Sequence, residues 1–342
     1  MPRDKATPQH GQTDQILLNR RGLFATAAGG AAFLLLPGSA HAAWPDRIVR
    51  LVVPFGAGSS SDTIARVVAA KLSDKFGQQV IVENRVGGAT ILGTNSIAKA
   101  TPDGYTLGLA NTSTHAATAA VYDDLPFDAT KDFTPIGMIG SSPFLLIGSP
   151  KLPAKTLKEF AAMAKKEPGK FSYASAGTGT LTHLAGELVK WKLGIQVTHV
   201  PYRGTEQSIT DLLTGRIDMI VATIPPALGQ IRSGALKPFA VMSAKRVEII
   251  SDIPTVAEAG APGCEAALWS ALVGPAGMPV DITRTLNGAL REIVARKDVQ
   301  ETFHAQGITP EPGTPEETAT TIRNDIVRWK EVAKEANIHI KR

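Results

Sequence analysis

Apolar residues recur along this chain at two spacings, and their alternation lays out an architecture. The runs IVRLVVPF (48–55), QVIVENR (79–85) and YTLGLAN (105–111) are short, rich in β-branched residues and bounded by turn residues, so they read as strands. Between them, at 61–75 and 93–100, apolar residues return every three or four positions, as on one face of a helix. The same alternation resumes with FLLIGSP (144–150), KFSYASA (170–176), VTHVPY (197–202), IDMIVAT (217–223) and LKPFAVMS (236–243). Helical patterns at 156–166, 180–192, 205–215 and 225–232 separate these runs. The pattern predicts an α/β fold with largely parallel sheets, in two sets of strands.

After Pro279 the pattern changes to helices at about 281–296 and 315–336. The second opens with Thr314-Pro315-Glu316-Glu317, a capping box with proline at the first helical position. Two similar apolar runs, 143–153 and 268–279, each end in a proline-rich turn. If both pass between lobes they form a hinge, with 44–145 and 268–342 on one side and 146–267 on the other. Alternatively both are edge strands of a single domain.

Two loops stand out. PFGAGSSSD (54–62) and ASAGTGTLTH (174–183) each follow a strand, supply glycine and hydroxyl residues, and open into a helix. The apolar stripe is Ile64, Val68 and Leu72 in the first helix and Leu181, Leu184 and Leu188 in the second. Glycine lets a backbone approach a ligand closely, and the free N–H groups at a helix start favour negative charge. One such loop is ordinary turn chemistry; one in each half of the chain points to two lobes holding a small anion between them.

The N-terminus reads as an export signal. Arg20-Arg21 precede an uncharged stretch from Gly22 to Pro37, and Ser39-Ala40-His41-Ala42 has the small-residue spacing of a cleavage site. The stretch is too short and too weakly apolar to span a bilayer. NRRGLF matches a twin-arginine signal, although Gly22 follows the arginines and no lysine follows the apolar start; the alternative is an ordinary secretory signal that contains two arginines. Cleavage near Ala42 places the mature protein in the periplasm. Without residues 1–42 the chain keeps 32 of 36 basic and 29 of 31 acidic residues, a net charge of +3. No basic stripe interleaved with aromatics points to nucleic acid. Cys264 is the one cysteine, so no intrachain disulfide forms, and its Pro-Gly-Cys-Glu setting suits a small filler.

Catalytic motifs are lacking: there is no Gly-x-Ser-x-Gly elbow, phosphate loop or His-Glu-x-x-His helix. The histidines have no metal-ligand spacing, and Ser175 with His183 lacks an acid to orient the histidine. No catalytic residue, metal or cofactor is therefore expected.

The segments RLVVPFGAGSSSDTIAR, VIVENRVGGATILG, KATPDGYTLGLAN, YDDLPFDATKDFTPIG, SYASAGTGTLTHLAGE, THVPYRG, DLLTGRIDMI and IPTVAEAGAPG occur in an order and spacing that resemble the extracytoplasmic solute receptors of tripartite tricarboxylate transporters, the Bug proteins. The resemblance runs over essentially the whole mature sequence. It implies a type II periplasmic-binding-protein fold, two lobes joined by two crossover strands, with a small carboxylate in the cleft between them. It further implies delivery to membrane permease subunits, or else docking on a membrane sensor kinase; a periplasmic enzyme is a remote alternative. Two departures loosen the pattern. The family's PFPPGG is here Pro54-Phe55-Gly56-Ala57-Gly58-Ser59, and its ENRPGAGG is Glu83-Asn84-Arg85-Val86-Gly87-Gly88-Ala89-Thr90.

Carried onto this chain, the ligand-binding residues are Phe55, Gly56, Ala57, Gly58 and Ser59 of the first loop and Ser175, Gly177, Thr178, Gly179 and Thr180 of the second. Asp62, in the first helical turn, either repels a second carboxylate or accepts an ammonium. His183 is a pocket contact or a local structural group. Asn111, Thr112 and Thr223 fall at carboxyl ends of strands, where open α/β sheets place ligands. Tyr202 and Arg203 could close the cleft, Arg203 as partner of a distal carboxylate or as a solvent-facing side chain. Trp269 is read as hinge or core packing.

Overall fold

The computed structural model describes residues 44–340, so the expected export signal lies outside the described residues. Nearly every expected element is present. Strand β1 (Val49–Val53) lies parallel to β2 (Val80–Asn84) on one side and β3 (Thr106–Asn111) on the other. Helix α1 (Ser60–Phe76) joins β1 to β2, and α2 (Ile91–Ala98) joins β2 to β3. The second set repeats this plan: β5 (Ser172–Ser175) lies parallel to β6 (Thr198–Pro201) and β7 (Met219–Thr223). Between them run α5 (Leu181–Leu193) and α6 (Thr205–Thr214). Helix α4 (Leu157–Lys166) precedes β5, and α7 (Ile224–Arg232) leads to β8 (Lys237–Val241).

The expectation of largely parallel sheets holds within each set and fails where the sets meet. Strand β4 (Phe133–Gly148) is 16 residues long, and β9 (Ala267–Pro275) lies antiparallel between it and β3. Residues 133–143 of β4 pair with β9; residues 144–148 pair antiparallel with β7 and, in part, with β8. One strand thus belongs to both sets, giving the order β2-β1-β3-β9-β4-β7-β5-β6. At the crossing, Phe144 N–H donates to Ala266 O (3.1 Å), Ala266 N–H to Met242 O (2.8 Å) and Met242 N–H to Phe144 O (2.7 Å). The first half of β4, TPIGMIGSSP, carries two prolines and two glycines, residues more usual in turns. It remains a strand by bulging between Pro135 and Gly137 and again between Met138 and Gly140.

Each set has its own core. Leu51, Val53 and Leu109 pack with the α1 stripe and with Leu286 and Leu290 of α8 (Val280–Ala295). Leu145, Ile147 and Ile220 pack with Ile209 and Leu212 of α6. A further core is shared. A π-helical turn (Thr112–Ala117) and the short α3 (Thr118–Val121) contribute Ala116, Ala117 and Val121. These meet Leu181, Leu184 and Leu188 of α5, and Trp329, Val332 and Ala333 of α10 (Pro315–Glu335). The expected capping box opens α10: Glu317 N–H donates to Thr314 Oγ1 (3.1 Å), and Glu317 Oε2 accepts from Thr314 N–H (2.8 Å). Helix α9 (Lys297–His304) and the two-residue β10 (Thr309–Pro310), which pairs with β4, were not anticipated. Trp269 is buried and donates to Asp325, and Cys264 is buried with its thiol pushed up to about 12 by that burial, the state of an inert filler.

Because β4 carries both sets, its packing should dominate stability. A Cβ built on Gly148 would lie 2.1 Å from Phe239 Cζ. Gly148→Ala should therefore destabilise the protein by about 1–3 kcal/mol through overpacking, read as a lower urea midpoint with an unchanged slope. An unchanged midpoint would mean that Phe239 does not pack on β4.

Candidate functional site

A parallel strand points its carboxyl end at the start of the helix that follows it, so neighbouring strand–helix units expose several helix N-termini along one edge. Here the loops after β1, β2, β5 and β6 all border one cavity of about 610 Å3. The first loop contributes Phe55, Gly56 and Ser59 ahead of α1, and the second Val86 to Thr90 ahead of α2. The third contributes Ala176 to Thr178 and Thr180 ahead of α5, and the fourth Tyr202 to Glu206 at the start of α6. Each start carries unsatisfied N–H groups and the positive end of a helix dipole. Four such ends on one cavity favour an anion strongly.

The first loop is held by Asp62. Its buried carboxylate accepts from Gly58 N–H (3.0 Å), Arg66 Nε (2.9 Å) and Asn84 Nδ2 (2.9 Å). Burial alone raises this carboxyl, but those hydrogen bonds prevail and hold it below its usual range. Ser59 caps α1, accepting from Asp62 N–H (3.2 Å) and donating to Gly56 O (2.8 Å). Asp62 is thus a brace beneath the loop and does not line the cavity; Ala57 and Gly58 do not line it either.

The loop ahead of α5 rests on two histidines. His183 Nδ1 accepts from Gly179 N–H (3.2 Å), and the His183 ring stacks on His199 at 4.0 Å. His199 Nε2 lies 2.7 Å from Ser175 Oγ, whose hydroxyl oxygen also accepts from Gly177 N–H (3.2 Å). The serine therefore pairs with His199, not His183, and both Ser175 and His183 sit behind the cavity wall. Gly179 is not at the wall: its φ of +80° and a Cβ position 2.6 Å from the Tyr122 ring show that the glycine admits that ring. The Tyr122 hydroxyl donates to Thr178 O (3.2 Å). Thr180 Oγ donates to Gly177 O (2.7 Å). Among the described residues, the N–H and the hydroxyl of Thr178 have no hydrogen-bond partner.

The remaining expected residues serve the frame. Asn111 caps the π-helical turn, accepting from Thr114 N–H (3.0 Å), and donates to Ser61 Oγ (3.1 Å). Thr112 Oγ1 accepts from Trp269 N–H (3.1 Å) and so ties the turn to β9. Thr223 Oγ1 lies 2.7 Å from Ser60 Oγ, a hydroxyl pair joining the two strand sets behind the cavity. The cavity therefore gathers Phe55, Gly56, Ser59, Gly177, Thr178, Thr180 and Tyr202, and leaves out Ala57, Gly58, Asp62, Asn111, Thr112, Ser175, Gly179, His183 and Thr223.

Sequence reasoning missed Tyr122 and the loop Val86 to Thr90. Ala89 and Thr90 both have left-handed φ values, +51° and +79°, and Thr90 Oγ1 is buried with no hydrogen-bond partner among the described residues. Strain of this kind concentrates at functional sites. The two-glycine turn after a strand was the available signal. A second cavity of about 700 Å3, lined by Lys155, Lys158, Lys165 and Phe239, is larger. It borders a single helix start, that of α4, already capped by Thr156 Oγ1 accepting from Glu159 N–H (3.2 Å). The chemistry favours the first cavity.

Among the described residues, no group of three His, Cys, Asp or Glu could hold a metal ion.

Burial, together with the neighbouring His183 and Lys190, pulls His199 down to about 3, and burial also lowers His183, with Lys190 adding and Glu187 opposing. The ordinary value for both is 6.5. Below it the unfolded chain takes up protons that the fold refuses, so stability is full above 6.5 and declines as pH falls towards 3. His199→Asn should flatten this decline in melting temperature relative to the unaltered protein. Identical slopes would show that the pair does not titrate with folding.

The sequence model of the "Tripartite tricarboxylate transporter family receptor" matches residues 64–338. The chain is 36% identical over 321 residues to the protein BugT of Bordetella pertussis, covering 94% of this chain and 97% of that one. The structure of Rpa4515 of R. palustris with adipate is 34% identical, with a TM-score of 0.83, over 86% of this chain and 99% of that one. MatC of Rhodopseudomonas palustris with bound malate is 32% identical, with a TM-score of 0.80, over 84% and 99%. Among the described residues no helix is long and apolar enough to cross a membrane. By the extent of the sequence match and by the fold, the chain belongs to the receptor family of tripartite tricarboxylate transporters.

Proposed function

We propose that the protein is an extracytoplasmic solute receptor that captures a small carboxylate in the four-loop cavity and delivers it to the permease subunits of a tripartite tricarboxylate transporter. The observation that carries this reading is the convergence of the α1, α2, α5 and α6 N-termini, with the Thr178 N–H and hydroxyl left unpaired at the wall. A carboxylate supplies the acceptors those donors lack, and its charge matches the helix dipoles. The adipate and malate of the related structures belong to the same chemical class. Export by the N-terminal segment places capture in the periplasm.

The two strand sets serve as lobes, 44–145 with 268–342 against 146–267. The separate cores on either side of β4 support this division. Two segments cross it: the 112–121 region and the end of α10 pack on α5 of the other lobe. Ligand bridging the lobes favours the closed form by its differential affinity.

Calorimetry against mono-, di- and tricarboxylates should give one site per chain and no turnover. Thr178→Val should weaken the best ligand by about ten- to a hundredfold, the value of one hydrogen bond to a charged group, with an unchanged melting temperature. Binding of sugars or cations but of no carboxylate would overturn the reading. A Thr178→Val protein that binds normally and melts early would assign the loop to structure alone.

A further inference from the structure

Strand β4 has neighbours on both edges, and only one edge faces the four-loop cavity. On that side lie β9 and β7, and beyond them the strands β1, β2, β5 and β6 whose loops line the cavity. On the other side β10 pairs with the first half of β4 and β8 with the second. The ends of those two strands border another cavity, of about 360 Å3. Its floor is Ser141, Pro143 and Ala267, where β4 and β9 pass between the strand sets. One wall comes from residues 243–249 and the other from 304–311, so the walls belong to opposite lobes of the division proposed above.

This back cavity tapers towards the crossover. Gly307 is buried with a φ of +70°, and a Cβ there would lie 2.6 Å from Ile224 Cδ1 at the start of α7. The lobes touch at that point through a residue with no side chain. Gly307 O also accepts from Ser142 Oγ of β4 (3.3 Å). Farther out the walls part, with Thr309 and Glu311 on one and Lys245 and Glu248 on the other, all exposed. Glu311 accepts from Ser141 Oγ (2.9 Å) and Arg246 pairs with Glu258 (2.9 Å), each within its own lobe. Among the described residues no ion pair joins the two walls of this cavity.

We propose that the back cavity is a counter-cleft whose width sets the ligand affinity. The two cavities lie on opposite edges of the β4 crossover. Rotation of the lobes about that crossover narrows what lies on one side and widens what lies on the other. Apparent affinity is the intrinsic affinity multiplied by the fraction of molecules already closed on the ligand side. A group that props the back walls apart therefore raises affinity without touching the ligand, and one that draws them together lowers it. This inference rests on the two-lobe receptor reading above.

The test wedges the back cavity and reads the front. Thr309→Trp adds an indole from an exposed position that belongs to none of the four loops. Spin labels carried by Leu92→Cys and Gln207→Cys report across the front, at the starts of α2 and α6; Cys264 is buried and stays unlabelled. In the ligand-free mature chain, the labels should stand closer together with Thr309→Trp than without it. Adipate, used as the probe, should bind the Thr309→Trp protein about five- to tenfold more tightly. Lys245→Glu sets another acid against Glu311, so it should move both readouts the same way at low ionic strength and lose its effect at high salt. Unchanged label distance and adipate affinity in a Thr309→Trp protein of unchanged melting temperature would overturn the proposal. So would labels farther apart with weaker adipate binding. Should Thr309→Trp melt early, Lys245→Glu decides by the same two readouts. If the labels approach but no carboxylate binds, the counter-cleft stands and the carboxylate reading falls.

Discussion

An α-helix begins with N–H groups that its own carbonyls cannot reach, and the rest of this molecule is arranged around four such beginnings. Each follows the carboxyl end of a parallel strand, so the direction of β1, β2, β5 and β6 decides where the positive helix ends gather. Capping side chains could have satisfied all four. Ser59 caps α1, but among the described residues α2, α5 and α6 have no side-chain cap bond, and Thr90 even takes a left-handed backbone at its helix start. Leaving donors open at one place makes sense when an acceptor arrives from outside.

Holding such loops open requires braces set behind them. Asp62 does this for the loop ahead of α1, where three donors converge on one buried carboxylate. The His183–His199 stack does it for the loop ahead of α5, fixing Gly179 and Ser175 from the far side. Strand β4 and the shared core on α10 then hold the two pairs of loops in one frame. Ser60 with Thr223 adds a direct tie between the strand sets.

Periodicity made the strands and helices legible, since the stripes Ile64–Val68–Leu72 and Leu181–Leu184–Leu188 are buried as their spacing requires. The first half of β4 was hidden because proline and glycine mark turns locally, whereas here β9 and a pair of bulges hold them in a strand. In the site, loops were legible and individual roles were not. Asp62, Gly58, Ser175, Gly179 and His183 have the polarity or flexibility of ligand contacts, yet their donors and acceptors are consumed by one another. Such pairing depends on distances between residues far apart in sequence. His199 shows this most plainly: 24 residues from Ser175, it is its nearest side-chain partner. Tyr122 reaches the wall from a region that carries no loop signal at all.

The most direct test of the convergence is an amide-resolved titration. Adding adipate to 15N-labelled protein should move the Thr178 N–H most, together with amides at the starts of α1, α2 and α6. If the shifts instead cluster around Lys155, Lys158 and Lys165, with Thr178 unmoved, the anion binds in the second cavity and the account given for the helix starts is wrong.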